Sequence, residues 1–149
     1  MELRSSAFDE GEAIPKKYGY GEDNVNPPME IAGVPDEAES LALVMDDPDA
    51  VKPAGKVWDH WVVWNIPPKT DAIEEDSVPP DSVEGMTDYR QRGYGGPNPP
   101  DGVHSYRFRL FALDCSLDLP SSAGKDDLER AIEGHVLEKA ELYGTYAPR

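Results

Sequence analysis

The sequence predicts a mainly β fold: a large antiparallel sheet with a smaller second sheet, closed by one C-terminal helix. Three observations carry this. Apolar runs of strand length recur at three places, fifteen prolines and thirteen glycines break up the chain between them, and only the last segment has apolar residues at helical spacing. The clearest strands lie at residues 41–46 in "ESLALVMDD", 60–66 in "HWVVWNI" and 104–113 in "HSYRFRLFALD". Weaker strand candidates lie at residues 7–8, 28–31 and 87–91. The acidic, proline-bearing stretch 67–88 reads as loop.

The C-terminal segment "DDLERAIEGHVLEKAELYG" sets Leu128, Ile132, His135 and Leu142 at helical spacing, with Asp126 and Asp127 in the first turn and Gly144 as a stop. His135 on this helix is expected in the core or at its boundary. Strand alternation places His104, Tyr106, Phe108, Leu110 and Ala112 on one face, and Ser105, Arg107 and Arg109 on a partly solvated one. In the tryptophan run, alternation groups His60 with Val62 and Trp64, and Trp61 with Val63. Both faces are apolar, as in a central strand covered on two sides.

At 149 residues, the whole of 1–149 suits one domain. The net charge is −16, from 30 acidic against 14 basic residues spread along the chain. Such a surface repels nucleic acid and anionic membrane at long range, and it suits a salty, halophilic-type cytoplasm where self-repulsion is screened. Cys115 is the lone cysteine, so it forms no internal disulfide and a reducing compartment fits. It reads as a small core hydrophobe rather than a nucleophile. Neither a signal-peptide core near the N-terminus nor a run of membrane-span length appears, so a cytoplasmic protein without stable membrane insertion is expected.

Chemistry concentrates where strands begin and end. Asp47, Pro48 and Asp49 follow the first clear strand, and His60 opens the second. An antiparallel pairing of these two strands puts Asp47 and Asp49 beside His60. His104 joins them if its strand runs parallel to that of His60, or if its lead-in loop "GYGGPNPPDGV" returns to that edge. Glycines there let backbone N–H groups approach a ligand and prolines stiffen the loop. Two histidines, two aspartates, Tyr106 and free amides make a polar cup suited to a small anion. Each piece alone has a bland reading: a satisfied structural histidine, an aspartate-proline turn, a stiff loop.

In their order along the chain, "YGYGEDNVNPP", "DDPDA", "WDHWVVWNIP", "YGGPNPPDGVHSY" and "GHVLEKAELYGTY" resemble the phosphatidylethanolamine-binding protein (PEBP) family. The resemblance runs from about Phe8 to Tyr146 and is nearest to the bacterial and archaeal Raf kinase inhibitor-like branch. It implies a PEBP-like fold and a pocket for phosphate-like groups, phosphoethanolamine head groups included. It also implies a non-enzymatic binding protein, with no cofactor and no catalytic or metal-ligating residue. By motif position Asp47 and Asp49 take the places of the pocket aspartates, His60 and His104 those of the histidines, and Tyr106 that of the following tyrosine. Pro99 and Pro100 take the places of the loop prolines, with Gly96 in the same loop. A protein kinase or a protease is the partner class offered by analogy with the family, and a homodimer is compatible with the sequence. Three departures stand out: Val51 follows Ala50 where the family has proline, Ser105 replaces the arginine after the second histidine, and the loop between Pro100 and His104 is short. The alternative is a metal-dependent hydrolase, since two histidines and two carboxylates can hold zinc or iron.

Overall fold

The computed structural model describes residues 1–148. Eight strands form two sheets: β1 (Glu2–Arg4), β2 (Met29–Ala32), β3 (Ser40–Asp47), β4 (Trp58–Ile66), β5 (Ala72–Ile73), β6 (Val83–Glu84), β7 (His104–Leu113) and β8 (Val136–Tyr146). The smaller sheet has the order β1-β2-β5 and the larger β6-β4-β3-β7-β8, antiparallel throughout. Two α-helices, α1 (Val51–Ala54) and α2 (Lys125–Ile132), and two 3-10 turns, Lys16–Tyr18 and Pro48–Ala50, complete the described fold.

β3 lies at the centre of the larger sheet and all eight of its residues are buried. Leu41, Leu43 and Met45 join Trp61, Val63, Phe108 and Leu110 on one face, packed with Leu3, Met29, Ile31 and Ile73 of the small sheet. Ala42 and Val44 join Val62, Trp64, Phe111 and Leu113 on the other face, covered by Leu128 and Ile132 of α2. The sheet is therefore covered on both sides, as the two apolar faces of the tryptophan strand predict. Among the described residues no helix is long and apolar enough to cross a membrane.

The C-terminal helix is shorter than its sequence pattern predicts. It ends at Ile132; Gly134 takes a left-handed φ of +82°, and the chain turns back as β8, in antiparallel register with β7 from Leu113↔Val136 to His104↔Tyr146. Ala140, Leu142 and Tyr146 are buried at a period of two. Gly144 is no stop: it pairs with Tyr106, and a Cβ there would lie 2.6 Å from Ile14 and 2.7 Å from Phe8. His135 is exposed in the turn, its Nδ1 2.8 Å from Asp114 Oδ1, and not in the core. Pairing along a ten-residue neighbour outweighs the helical propensity of "LEKAEL".

Smaller differences concern the weak strands. The first strand is at residues 2–4 rather than 7–8, although Phe8 is core. The second lies one residue later than expected, at Met29–Ala32. Residues 87–91 form a turn, with Thr87 N–H donating to Gln91 O and Arg90 at φ +61°, and the stretch 67–88 contributes the two-residue strands β5 and β6. These short edge strands have too little periodicity to be read from sequence.

Candidate functional site

Because β4 and β7 both run antiparallel to β3, the end of β3 and the starts of β4 and β7 share one edge of the sheet. His104 thus meets the condition set for it: its strand runs in the same direction as that of His60. A β-bulge refines the rest. The β3–β4 register steps from Met45↔Trp61 to Asp46↔Asp59, so Asp59 and His60 together oppose one position. Asp59 then faces the α2 side, where its carboxylate lies 2.6 Å from Lys125 Nζ. His60 turns to the opposite face, its ring 5.2 Å from that of Tyr106. Simple alternation, which groups His60 with Val62 and Trp64, is overturned here by the extra residue.

A cavity of about 180 Å³ opens at this edge. One water needs only about 10–15 Å³ on this measure, so the space takes several waters or one small head group. Asp47, His60, Pro99, Pro100, His104 and Tyr106 line it, together with Trp58, Tyr89 and Asn98, and with Ala50, Pro53 and Ala54 beside α1. Asp49 and Gly96 do not line it. Asp49 caps the start of β7, its Oδ2 accepting from Ser105 N–H at 2.8 Å. Gly96 donates to Asn24 and accepts from the Tyr89 hydroxyl, and a Cβ there would strike the Tyr18 carbonyl at 2.1 Å. The Ala50–Val51 bond is trans, and Pro53 supplies a wall proline two residues further on.

The two imidazoles are displaced in opposite directions from the ordinary histidine pKa. His60 donates Nδ1–H to Gly95 O at 2.6 Å, which leaves Nε2 as the acceptor of a neutral ring. Burial pushes its pKa below the ordinary histidine value. His104 has a carboxylate on each nitrogen: Asp47 Oδ2 at 2.6 Å from Nδ1 and Asp101 Oδ1 at 2.6 Å from Nε2. Burial disfavours its cation, but the two carboxylates outweigh burial and raise its pKa. Asp47 is fixed in turn, because its Oδ1 accepts from Asp49 N–H at 2.9 Å. The Tyr106 hydroxyl is fully buried and makes no well-formed hydrogen bond to the protein. Burial and the nearby Asp47 carboxylate hold it protonated, far above any physiological pH.

On the other face of the same strands, Asp46 is wholly buried. Both its oxygens are engaged by Arg107 at 2.9 Å, with Arg109 at 3.2 Å and Lys125 at 3.3 Å. Burial raises its pKa, but Arg107, Lys125 and Arg109 together bring it below the usual carboxylate range. This network ties β3 and β7 to α2 directly behind the cavity. A larger open depression of about 470 Å³ between β1 and β8 contains acidic residues and no histidine.

Sequence reasoning missed Trp58, Tyr89, Asn98 and Asp101. Asn98 and Asp101 stand inside the loop already singled out, whereas Tyr89 comes from the stretch read as a weak strand, and no local signal marks it. Among the described residues, the three-residue group within metal-ligand reach is Asp114, Cys115 and His135, at the other end of β7 from the cavity. In the cavity, His104 pairs with Asp47 and Asp101, and His60 with the Gly95 carbonyl.

A family model described as phosphatidylethanolamine-binding protein matches residues 4–147. A UPF0098 protein of Methanothermobacter thermautotrophicus is 48% identical, over 98% of each chain, and one of Chlamydia muridarum is 40% identical, again over 98% of each. Among solved structures, the putative PEBP homologue CT736 of Chlamydia trachomatis has a TM-score of 0.92 at 37% identity, covering 97% of this chain and 95% of that one. E. coli YbcL, described as a new member of the mammalian PEBP family, also reaches 0.92, at 26% identity over 99% and 98%. With matched motifs, fold and length, this chain belongs to the phosphatidylethanolamine-binding protein family.

Proposed function

We propose that the cavity binds a small phosphate-like anion, free or as a phosphoethanolamine-type head group, and that the protein is a non-enzymatic binding module. The observation that carries this reading is the Tyr106 hydroxyl, a buried donor that makes no well-formed hydrogen bond to the protein, in a cavity beside a histidine flanked by two carboxylates. An unsatisfied buried polar group costs about 1–3 kcal/mol, which a ligand oxygen would relieve. His104 supplies the positive charge, Asp47 orients its ring, and the neutral His60 accepts from a protonated ligand oxygen. Trp58, Tyr89 and the prolines give the cavity largely apolar walls, which strengthens each of these contacts.

The lining contains no activated nucleophile. Ser105, adjacent to His104 in sequence, is on the opposite face of β7. No observation favours the metal-dependent hydrolase. Action on a kinase or protease would run through surface contacts. One fold neighbour, carboxypeptidase Y inhibitor, was solved with its cognate proteinase; its 16% identity and TM-score of 0.63 extend to fold alone and select no target here. A reducing, cytoplasmic setting suits a chain with one cysteine.

Calorimetric titration of phosphate and of phosphoethanolamine tests the reading. Tyr106→Phe removes the donor and preserves the shape, and it should weaken binding at least about tenfold, the lower range for a hydrogen bond to a charged group. Unchanged affinity in this variant would remove the basis of the proposal.

A further inference from the structure

The second carboxylate on His104 gives the cavity an internal competitor. The ring has two N–H donors. Nδ1–H is committed to Asp47, whose side chain is 4% exposed and whose other oxygen is held by Asp49 N–H. Nε2–H is the donor that a bound oxyanion would use, and Asp101 Oδ1 already occupies it at 2.6 Å.

Asp101 is held very differently from Asp47. Its side chain is 42% exposed, and the contact with His104 is its one side-chain hydrogen bond. The next residue, Gly102, has nothing within 4 Å of where a Cβ would stand, so this corner of the loop has room to turn outward. Pro99 and Pro100 stay in the wall while it does so, because their rings fix the backbone before the corner.

We propose that Asp101 is a specificity-determining residue of this cavity: its carboxylate holds the Nε2–H of His104 in place of a ligand, and an anion binds by exchanging with it. This rests on the anion-binding reading above. The exchange conserves charge around the ring. One imidazolium between two carboxylates bears a net −1, and a monoanion entering without the exchange would meet that charge, whereas one replacing Asp101 meets a neutral Asp47–His104 pair. The competitor is intramolecular, so it excludes weak oxyanions such as acetate and admits those that also satisfy Tyr106. Its exposed position, next in the chain to the wall residue Pro100, lets it leave without disturbing the Asp47 contact.

Two measurements on the full chain test this. Proton-detected ¹⁵N NMR of the imidazoles should show both ring N–H protons of His104 protected from solvent exchange in the unmodified protein. In Asp101→Ala the Nε2–H should exchange rapidly, and added inorganic phosphate should protect it again. Calorimetric titration with inorganic phosphate should give about tenfold tighter binding in Asp101→Asn than in the unmodified protein, as expected for removal of one charge-assisted competitor. Binding by the variant alone would also bear the proposal out. Equal or weaker binding by the variant, with the unmodified protein binding well, overturns the competitor and leaves the anion site standing. Absence of phosphate binding in both overturns the anion reading and the competitor together. A lowered Tm in Asp101→Ala without any gain in affinity would mark the contact as a loop clip and nothing more.

Discussion

His60 and His104 share one cavity yet their pKa values are displaced in opposite directions, and the difference is visible in their surroundings. Burial lowers the pKa of His60 although the Gly95 carbonyl opposes it; two carboxylates raise that of His104 against its own burial. Their titrations should therefore separate around the ordinary value of about 6.5, with the NMR midpoint of His60 below it and that of His104 above it. The stability consequences have opposite signs. His104, with a raised folded pKa, contributes stability that is full below about pH 6.5 and is lost as the pH climbs through its folded value. His60, with a depressed one, costs stability as the pH falls below about 6.5. Coincident midpoints for the two rings would contradict this assignment. Anion affinity tied to imidazolium should accordingly persist past pH 6.5, because the ring that carries the charge is the one whose pKa is raised. The aspartate and histidine motifs were legible as isolated pieces. The bulge that turns His60 toward Tyr106 was not, since a single inserted residue leaves no periodic trace.

The same contrast holds for whole elements. β3, β4 and β7 are strands in the sequence because their apolar residues have no other reading, and the structure keeps them within a residue or two of their expected bounds. β8 was hidden. Its charged outer positions Glu138, Lys139 and Glu141 and its good helix formers mimic an amphipathic helix, and only the ladder with β7 decides between them. Those same charges suit an edge strand, where they discourage pairing with other chains. The N-terminal segment covers part of that edge: Gly11 and Ile14 donate to Tyr143 and Thr145 carbonyls, and Thr145 donates to Glu12. Gly144 shows how tightly this cover fits. Gly144→Ala should lower the unfolding free energy by about 1–3 kcal/mol, since Phe8 and Ile14 fill the space its side chain would need. Denaturant unfolding at neutral pH measures it, and an unchanged midpoint would mean that the segment yields.

At the scale of the molecule, two facts were readable from composition and pattern alone: a sheet covered on both faces, and a surface dominated by negative charge. The order of the strands was not, because it depends on pairings between distant segments. The net charge of −16 has its own consequence. Between about 0.1 M and 1 M salt the Debye length falls from about 10 Å to 3 Å, so self-repulsion is largely screened. Tm measured by calorimetry in sodium chloride should rise across that range. A flat or falling Tm would show that the acidic groups are compensated locally.

The division of labour around the cavity matters for how such a site can diversify. Its floor is anchored in the most deeply embedded strands and braced from behind by Asp46 and its cations, while its rim comes from α1, the turn at Tyr89 and the loop before β7. Substitutions at the rim can therefore alter which guest is admitted while barely touching the forces that keep the chain folded, so descendants of this scaffold are free to change clientele without rebuilding the house.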